Sequence, residues 1–278
     1  MKPYKRNFIK PLWLGVESLK DKTILLHAEQ GLGDTIQFCR YAALFEKLGA
    51  TVILEVQGPL KELLKDLEGV SKVIAKGERI PSYDYHTPLL SLPLAFSTDL
   101  QSIPEVPHNI SIDAGTLEKW NIRLGQKTKP RVGIVWFGST IHAKAVYRSV
   151  PLSQLLQYLP AGIDYFSLQK DIMTLDEFLL AERPEIQHFG KELNDFTDTA
   201  ALCELMDVVI SVDTSVAHLA GTLNKPTCLL LPFSPDWRWL LGRDDSPWYS
   251  SFKLYRQEKI DDWDGLLENL QVDLEKIK

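Results

Sequence analysis

Short, almost wholly apolar runs recur along this chain, and each is followed by a polar or glycine-containing turn and then a stretch with helical spacing. TILLH at 23–27, TVILEV at 51–56, RVGIVWF at 131–137, VVISV at 208–212 and TCLLL at 227–231 are the clearest. A strand with apolar residues on both faces must be covered on both, which is the condition of a parallel sheet flanked by helices. Such strands alternating with helical patterns predict an α/β chain built on parallel sheets.

In the first half the pattern predicts strands at 23–27, 51–56, 70–75 and 85–90. Helices are predicted at 34–48, closed by Gly49, and at 59–67, closed by Gly69. The stretch 83–100, rich in Pro, Ser and Leu, offers besides its strand only a short helix. The polar segment from Leu124-Gly125 to Lys129-Pro130 reads as a linker. Beyond it, strands at 131–137, 164–168, 185–188, 208–212 and 227–231 alternate with helices at 152–158, 175–182, 197–206 and 215–223. An amphipathic helix at 262–277 follows, with Trp263, Leu266, Leu267, Leu270, Val272, Leu274 and Ile277 as its apolar members. A chain of 278 residues suits two domains of ordinary size. These are expected at 1–125 and 126–278, with the last helix a candidate to pack back on the first. No internal repeat of fixed period is present.

Composition removes several classes of function. The formal net charge of −6 lacks the basic balance of a general nucleic-acid binder. No run of about 20 apolar residues could serve as a transmembrane helix, and MKPYKRNFIK leads into Pro11-Leu12-Trp13 rather than an apolar signal core. The three cysteines, Cys39, Cys203 and Cys228, are far apart in apolar stretches, as expected of buried free thiols in a reducing compartment. A cytoplasmic location is the expectation.

Ligands of parallel α/β sheets bind outside the carboxyl ends of the strands, and the polar motifs fall there. Between the first strand and helix lies Ala28-Glu29-Gln30-Gly31-Leu32-Gly33-Asp34-Thr35. Its glycines allow a sharp turn and close approach of backbone amides to a ligand. Asp34 at the helix entrance reads equally as an ordinary helix cap. A third glycine is missing, so dinucleotide binding is not supported. After the strand 208–212 comes Asp213-Thr214-Ser215-Val216-Ala217-His218. Helical spacing sets Thr214 and His218 on one face, and the amides and hydroxyls of a helix start suit a diphosphate. Asp213 would repel that anion and is expected to pair with a nearby cation. Lys170, in Ser167-Leu168-Gln169-Lys170, is well placed both to face the phosphates and to neutralise Asp213, or is a solvated surface lysine. The loop after 131–137 carries Gly138, Ser139, Thr140, His142, Lys144 and Arg148. Of these, Ser139, His142 and Arg148 are candidate donor or acceptor contacts. In Pro232-Phe233-Ser234-Pro235-Asp236-Trp237-Arg238-Trp239, Trp237 is a candidate stacking surface and Trp239 reads as part of a domain seam.

Taken in order, LLHAEQGLGDTIQFCRY (25–41), GIVWFGS…RSVPL (133–152), SLQK (167–170), DFTDTAALCELMDVVISVDTSVAHLAGTLNKP (195–226) and LLLPFSPDWRWLLGRDDSPWY (229–249) resemble the heptosyltransferase group, glycosyltransferase family 9. The nearer likeness is to the branch associated with tetratricopeptide-repeat proteins. The resemblance implies a GT-B fold, two Rossmann-like domains facing across a cleft. It also implies inverting, metal-independent transfer from a nucleotide-sugar, which is a substrate rather than a cofactor. Asp34 falls on the family's proposed base. Lys170, Asp213, Thr214, Ser215 and His218 fall on the donor-phosphate set, and Gly31, Gly33 and Gln30 lie beside the base. Where the family has glycine in the phosphate motif this chain has Ser215. A saccharide, lipid-linked or protein acceptor is compatible with the resemblance, as is a tetratricopeptide-repeat region or partner. Two rivals stand beside this reading: a non-catalytic nucleotide-sugar-binding module, and a GT-B-like sugar-nucleotide epimerase drawing on Glu29, His86 or His142.

Overall fold

A computed structural model describes residues 6–107, 110, 112–138 and 146–277. The chain divides into two compact units, residues 1–111 and 112–278.

Unit 1 runs β1 (Thr23–His27), α1 (Leu32–Phe38), β2 (Thr51–Val56), β3 (Lys72–Ala75), β4 (Tyr85–Pro88) and α2 (Leu92–Ala95). The four strands form one parallel sheet in the order β3-β2-β1-β4. Leu25, Ile53 and Ile74 pack on one face against Phe8, Ile80 and Tyr83. Ile24 and Leu26, alternate residues of the same strand and equally buried, serve the other. The predicted helix 34–48 is shorter in its α part: after α1 the chain tightens into a 3-10 helix, Cys39–Leu48, and Gly49 stops it at φ 68°. The predicted helix at 59–67 is corrected to a 3-10 turn, Gly58–Leu60, followed by further turns. Leu60, Leu63, Leu64 and Leu67 are all buried there. Their spacing of three and four satisfies consecutive tight turns as well as an α-helix.

Unit 2 runs α3 (Ala114–Leu124), β5 (Arg131–Val135), α4 (Leu152–Leu155), β6 (Asp164–Ser167), α5 (Thr174–Ala181), β7 (Ile186–His188), α6 (Phe196–Glu204), β8 (Val208–Val212), α7 (Ser215–Thr222), β9 (Thr227–Leu231), β10 (Phe252–Arg256) and α8 (Asp264–Leu274). Six parallel strands lie in the order β10-β9-β8-β5-β6-β7. Renumbered within the unit, this is the Rossmann order read from its other edge. Val132, Ile134, Ile210, Val212 and Leu230 pack on one face with Leu152 and Leu155 of α4 and Leu266, Leu267, Leu270 and Leu274 of α8. The last helix thus joins the core of its own unit. Val272, counted among its apolar members, is 56% exposed. On the other face α7 packs against β8, β9 and α6.

Two elements of unit 2 were not predicted. The edge strand β10 alternates buried Phe252 and Leu254 with exposed Lys253, a weaker signature than a continuous apolar run. Helix α3 buries only Trp120 and Leu124, too few for a visible stripe. Its Trp120 Nε1 donates to Asp198 Oδ1 at 2.8 Å, and Lys119 Nζ reaches the same atom at 3.0 Å. Because α3 is bound to α6 in this way, the division between units precedes it, at 111/112, instead of following it at 125/126.

All three cysteines are free. Burial pushes the thiols of Cys39 and Cys203 up to about 12 and that of Cys228, which is only half-buried overall, to about 11. No helix among the described residues is long and apolar enough to cross a membrane.

Residues 6–13 lie against the sheet of unit 1. Phe8 stacks on His27 at 4.4 Å and on His86 at 4.1 Å, while Arg6 ion-pairs with buried Glu55. The two histidines meet at 3.2 Å between His27 Nε2 and His86 Nδ1. Burial, then the neighbouring His86, Arg6 and Lys76, lowers His27 from 6.5 to about 3; burial and Arg6 lower His86 as well. Below pH 6.5 the unfolded chain therefore binds a proton at His27 that the folded chain refuses, and stability falls with pH. Denaturation curves should show stability level above pH 7 and declining below 6.5, His27 supplying about 1.4 kcal/mol per pH unit. His27→Phe should flatten that decline.

Candidate functional site

In unit 2 the strand order reverses between neighbours β5 and β8. From β5 the chain passes to α4 on one face, and from β8 to α7 on the other, so a crevice opens at their carboxyl ends. Gln169, just past β6, holds this edge together: its Oε1 accepts from Phe137 N at 3.1 Å and its Nε2 donates to Asp171 O at 3.2 Å.

Thr214 caps α7 with extended backbone and no side-chain cap bond. Its hydroxyl instead lies 3.1 Å from Ser211 Oγ. The first amides of α7 have no partner within the helix and no acidic side chain stands in its first turn, an arrangement suited to an anion. Ser215 opens the helix and is half-buried.

Asp213, just before this cap, is 7% exposed. Desolvation raises its pKa; the Trp239 indole N–H, Arg238 and Arg148 oppose that rise, and Asp236 adds to it. The cations beside Asp213 are therefore two arginines. Lys170, expected in that role, is exposed and donates from Nζ to Asn194 O at 3.0 Å. The correction has a physical reason: a planar guanidinium loses less on dehydration than an ammonium and is the better partner for a buried carboxylate. Arg148 comes in over Gly138, where a β-carbon would stand 3.0 Å from its Nη2. Ser139, His142 and Lys144 lie outside the described residues.

His218 is 2% exposed. Its Nε2 lies 3.4 Å from Arg238 Nη1 and 3.9 Å from Asp213 Oδ1, and its Nδ1 lies 3.0 Å from the Tyr249 hydroxyl. A guanidinium only donates, so Nε2 is the acceptor, and Nδ1 carries the proton and donates to Tyr249. The ring stacks on Trp239 at 5.5 Å and 22°. Trp239, expected at a seam, is wholly buried inside unit 2, stacked also on Phe252 at 5.8 Å. Trp237 is 59% exposed and meets Trp248 edge-on at 6.1 Å, with Arg238 Cζ 5.5 Å from its centroid. The Tyr249 partner of His218 and the effect of Arg238 on Asp213 escaped the sequence reading, because they join residues 31 and 25 positions apart.

In unit 1 the order reverses between β1 and β4. Gly31 is the cap of α1 with φ −74°, so its turn is ordinary extended backbone and not the sharp glycine turn expected. Its amide donates to Asp34 Oδ2 at 2.9 Å. Asp34, the third residue of α1, is thereby held at the helix start in the manner of a capping box. Gln57, directly after β2, braces the loop: its Oε1 accepts from Thr35 Oγ1 at 2.8 Å and its Nε2 donates to Gln30 O at 2.9 Å and Gly31 O at 3.3 Å. Its place at a strand end was the signal available for it. Glu29 bridges the reversal by accepting from Leu90 N at 3.1 Å. The residue as a whole is exposed, but the surroundings of its carboxyl group raise its pKa, chiefly by desolvation and further through Asp34. Among the described residues no cluster of three or more His, Cys, Asp or Glu could hold a metal ion.

No protein-family model matches the chain. Protein FlbA of Caulobacter vibrioides is 25% identical over 280 residues, 91% of this chain. The chain spans 46% of that relative, about half its length. ADP-heptose LPS heptosyltransferase II of E. coli superposes with a TM-score of 0.63 at 15% identity, covering 91% of this chain and 99% of that one. A glycosyl transferase family 9 protein from Veillonella parvula gives 0.62 at 12%, covering 94% and 91%. The E. coli heptosyltransferase WaaC with ADP-2-deoxy-2-fluoro heptose gives 0.55 at 12%, covering 91% and 98%. The two parallel-sheet units are thus the fold of the GT-B heptosyltransferases.

Gly221 lets Tyr249 lie against α7: a β-carbon there would meet the Tyr249 ring at 2.5 Å and Phe252 at 2.8 Å. Gly221→Ala should cost about 1–3 kcal/mol by overpacking, outweighing a helix-propensity gain of about 1 kcal/mol. Urea denaturation measures the difference.

Proposed function

We propose that the chain is a glycosyltransferase that moves a sugar from a nucleotide-sugar to an acceptor hydroxyl, with inversion and without a metal. The observation that carries this reading is the α7 start at the β5/β8 reversal, directly preceded by buried Asp213 with Arg148 and Arg238 acting on its carboxylate. Fold neighbours that include E. coli heptosyltransferase WaaC with ADP and with ADP-2-deoxy-2-fluoro heptose support it.

On this reading the donor's diphosphate sits on the amides of Ser215 and its successors beside Thr214, with Lys170 and Arg148 as the cations that the motifs suggest. Preorganised dipoles of this kind stabilise the charge that develops on the leaving diphosphate. Asp34 takes the proton from the acceptor hydroxyl as it attacks the anomeric carbon. Its Oδ2 is oriented by the Gly31 amide, and Gln57 keeps that loop in place. The new glycosidic bond forms as the bond from the anomeric carbon to the phosphate oxygen breaks. The acceptor is a saccharide, a lipid-linked group or a protein, and a repeat-containing partner fits the same reading.

A thermal-shift screen of nucleoside diphosphates and their sugars tests the donor site: a ligand at a hundredfold excess over its Kd adds about 2.7 kcal/mol. Asp34→Asn should keep that stabilisation and lose about 10²–10⁴-fold in turnover, while chelators leave wild-type turnover unchanged. Near-normal transfer by Asp34→Asn would remove Asp34 as the base. Donor binding without transfer across a panel of acceptors favours a binding module, and label uptake from deuterated water by donor alone favours an epimerase.

A further inference from the structure

A buried hydrogen-bonded chain beside the α7 start runs through Arg238, whose part so far is to stand beside Asp213. Tyr249 accepts from His218 Nδ1, and His218 Nε2 in turn accepts from Arg238 Nη1, at 3.0 and 3.4 Å. The chain is packed in aromatic rings. Trp239 stacks on His218 at 5.5 Å, and Tyr249 stacks on Phe252 at 4.8 Å. Arg238 Nε also lies 3.1 Å from Asp236 Oδ1, and that carboxylate caps the turn carrying Arg238 by accepting from its amide at 3.3 Å. The guanidinium is therefore held between Asp236 and His218 of α7, where Asp213 Oδ1 also approaches His218 Nε2 at 3.9 Å.

The contrast with Lys170 decides which cation matters. Lys170 is exposed and its ammonium is engaged by Asn194 O. The charge of such a group is screened by water. Arg238 is 8% exposed, and a charge held out of water acts more strongly on a neighbouring anion. A guanidinium also presents a planar fork that matches phosphate oxygens.

We propose that Arg238 is the cation that holds the donor's diphosphate at the start of α7, and that His218 and Tyr249 are positioning residues that fix its guanidinium there. The proposal rests on the donor-site reading and replaces Lys170 as the main phosphate cation. His218 then never touches the ligand: it acts through Arg238 by offering one acceptor lone pair of fixed direction.

Calorimetric titration of the full chain with inorganic pyrophosphate and with ADP tests this. Arg238→Gln is expected to weaken pyrophosphate binding at least tenfold, and Lys170→Gln less than twofold. His218→Phe keeps the stacked ring but removes the acceptor, and should match Arg238→Gln. His218→Gln restores an acceptor oxygen and should recover most of the affinity, a rescue that a purely structural histidine would not show. Arg238→Gln with His218→Phe should bind no more weakly than Arg238→Gln alone. Should Arg238→Gln melt below the assay temperature, Arg238→Lys decides in its place, with a severalfold loss expected at an unchanged melting point. Wild-type affinity in Arg238→Gln (or, where that variant melts, in Arg238→Lys), a tenfold loss in Lys170→Gln, or additive losses in the double variant would each overturn the proposal. Failure of the wild-type chain to bind either probe would sink the donor-site reading itself.

Discussion

Everything functional in unit 2 depends on a reversal of strand order. β5 and β8 are parallel neighbours, yet the chain leaves them for opposite faces of the sheet. No connection can then cover their carboxyl ends, and the crevice left between them receives the start of α7, Arg148 and Asp213 together. The same constraint operates in unit 1 between β1 and β4, where Asp34, Glu29 and Gln57 gather around one loop.

Buried charge is the second constraint, and it follows from the first. A carboxylate as deeply placed as Asp213 is costly unless cations and dipoles surround it. The sheet edge supplies Arg148 from beyond β5 and Arg238 from beyond β9, with His218 and Trp239 closing the remaining sides. The same logic places Asp198 under Trp120 and Lys119, and Glu55 against Arg6. In each case the partner comes from a distant part of the chain, and the pair ties two elements of one unit together.

Four strands were legible to the residue, whereas β5, buried throughout, stops at Val135, two residues short of its apolar run. β1, β2, β8 and β9 coincide with the apolar runs because a strand covered on both faces admits little else. Edge and periphery were not legible: Lys253 breaks the apolar pattern of β10, and α3 shows the core only two side chains. The helix expected at 59–67 failed for a related reason, since leucines three and four apart bury equally well from tight turns. The site was legible by position more than by partner. Asp213, Thr214 and Ser215 directly follow β8 and Asp34 lies in the first turn of α1, as the motifs place them, while the hydrogen bonds that join Lys170 to Asn194 and His218 to Tyr249 could not be read from the sequence.

Hydrophobic periodicity determined that this chain is α/β and parallel and where its polar motifs fall relative to the strands, because those properties follow from local spacing, and its length of 278 residues pointed to two units. Only the tertiary structure decided which cation faces Asp213, which way His218 points and to which unit α3 belongs. Those outcomes are set by burial and by contacts between residues tens of positions apart, and a linear pattern carries no information about the free energy of placing a charge beside a partner it meets only after folding.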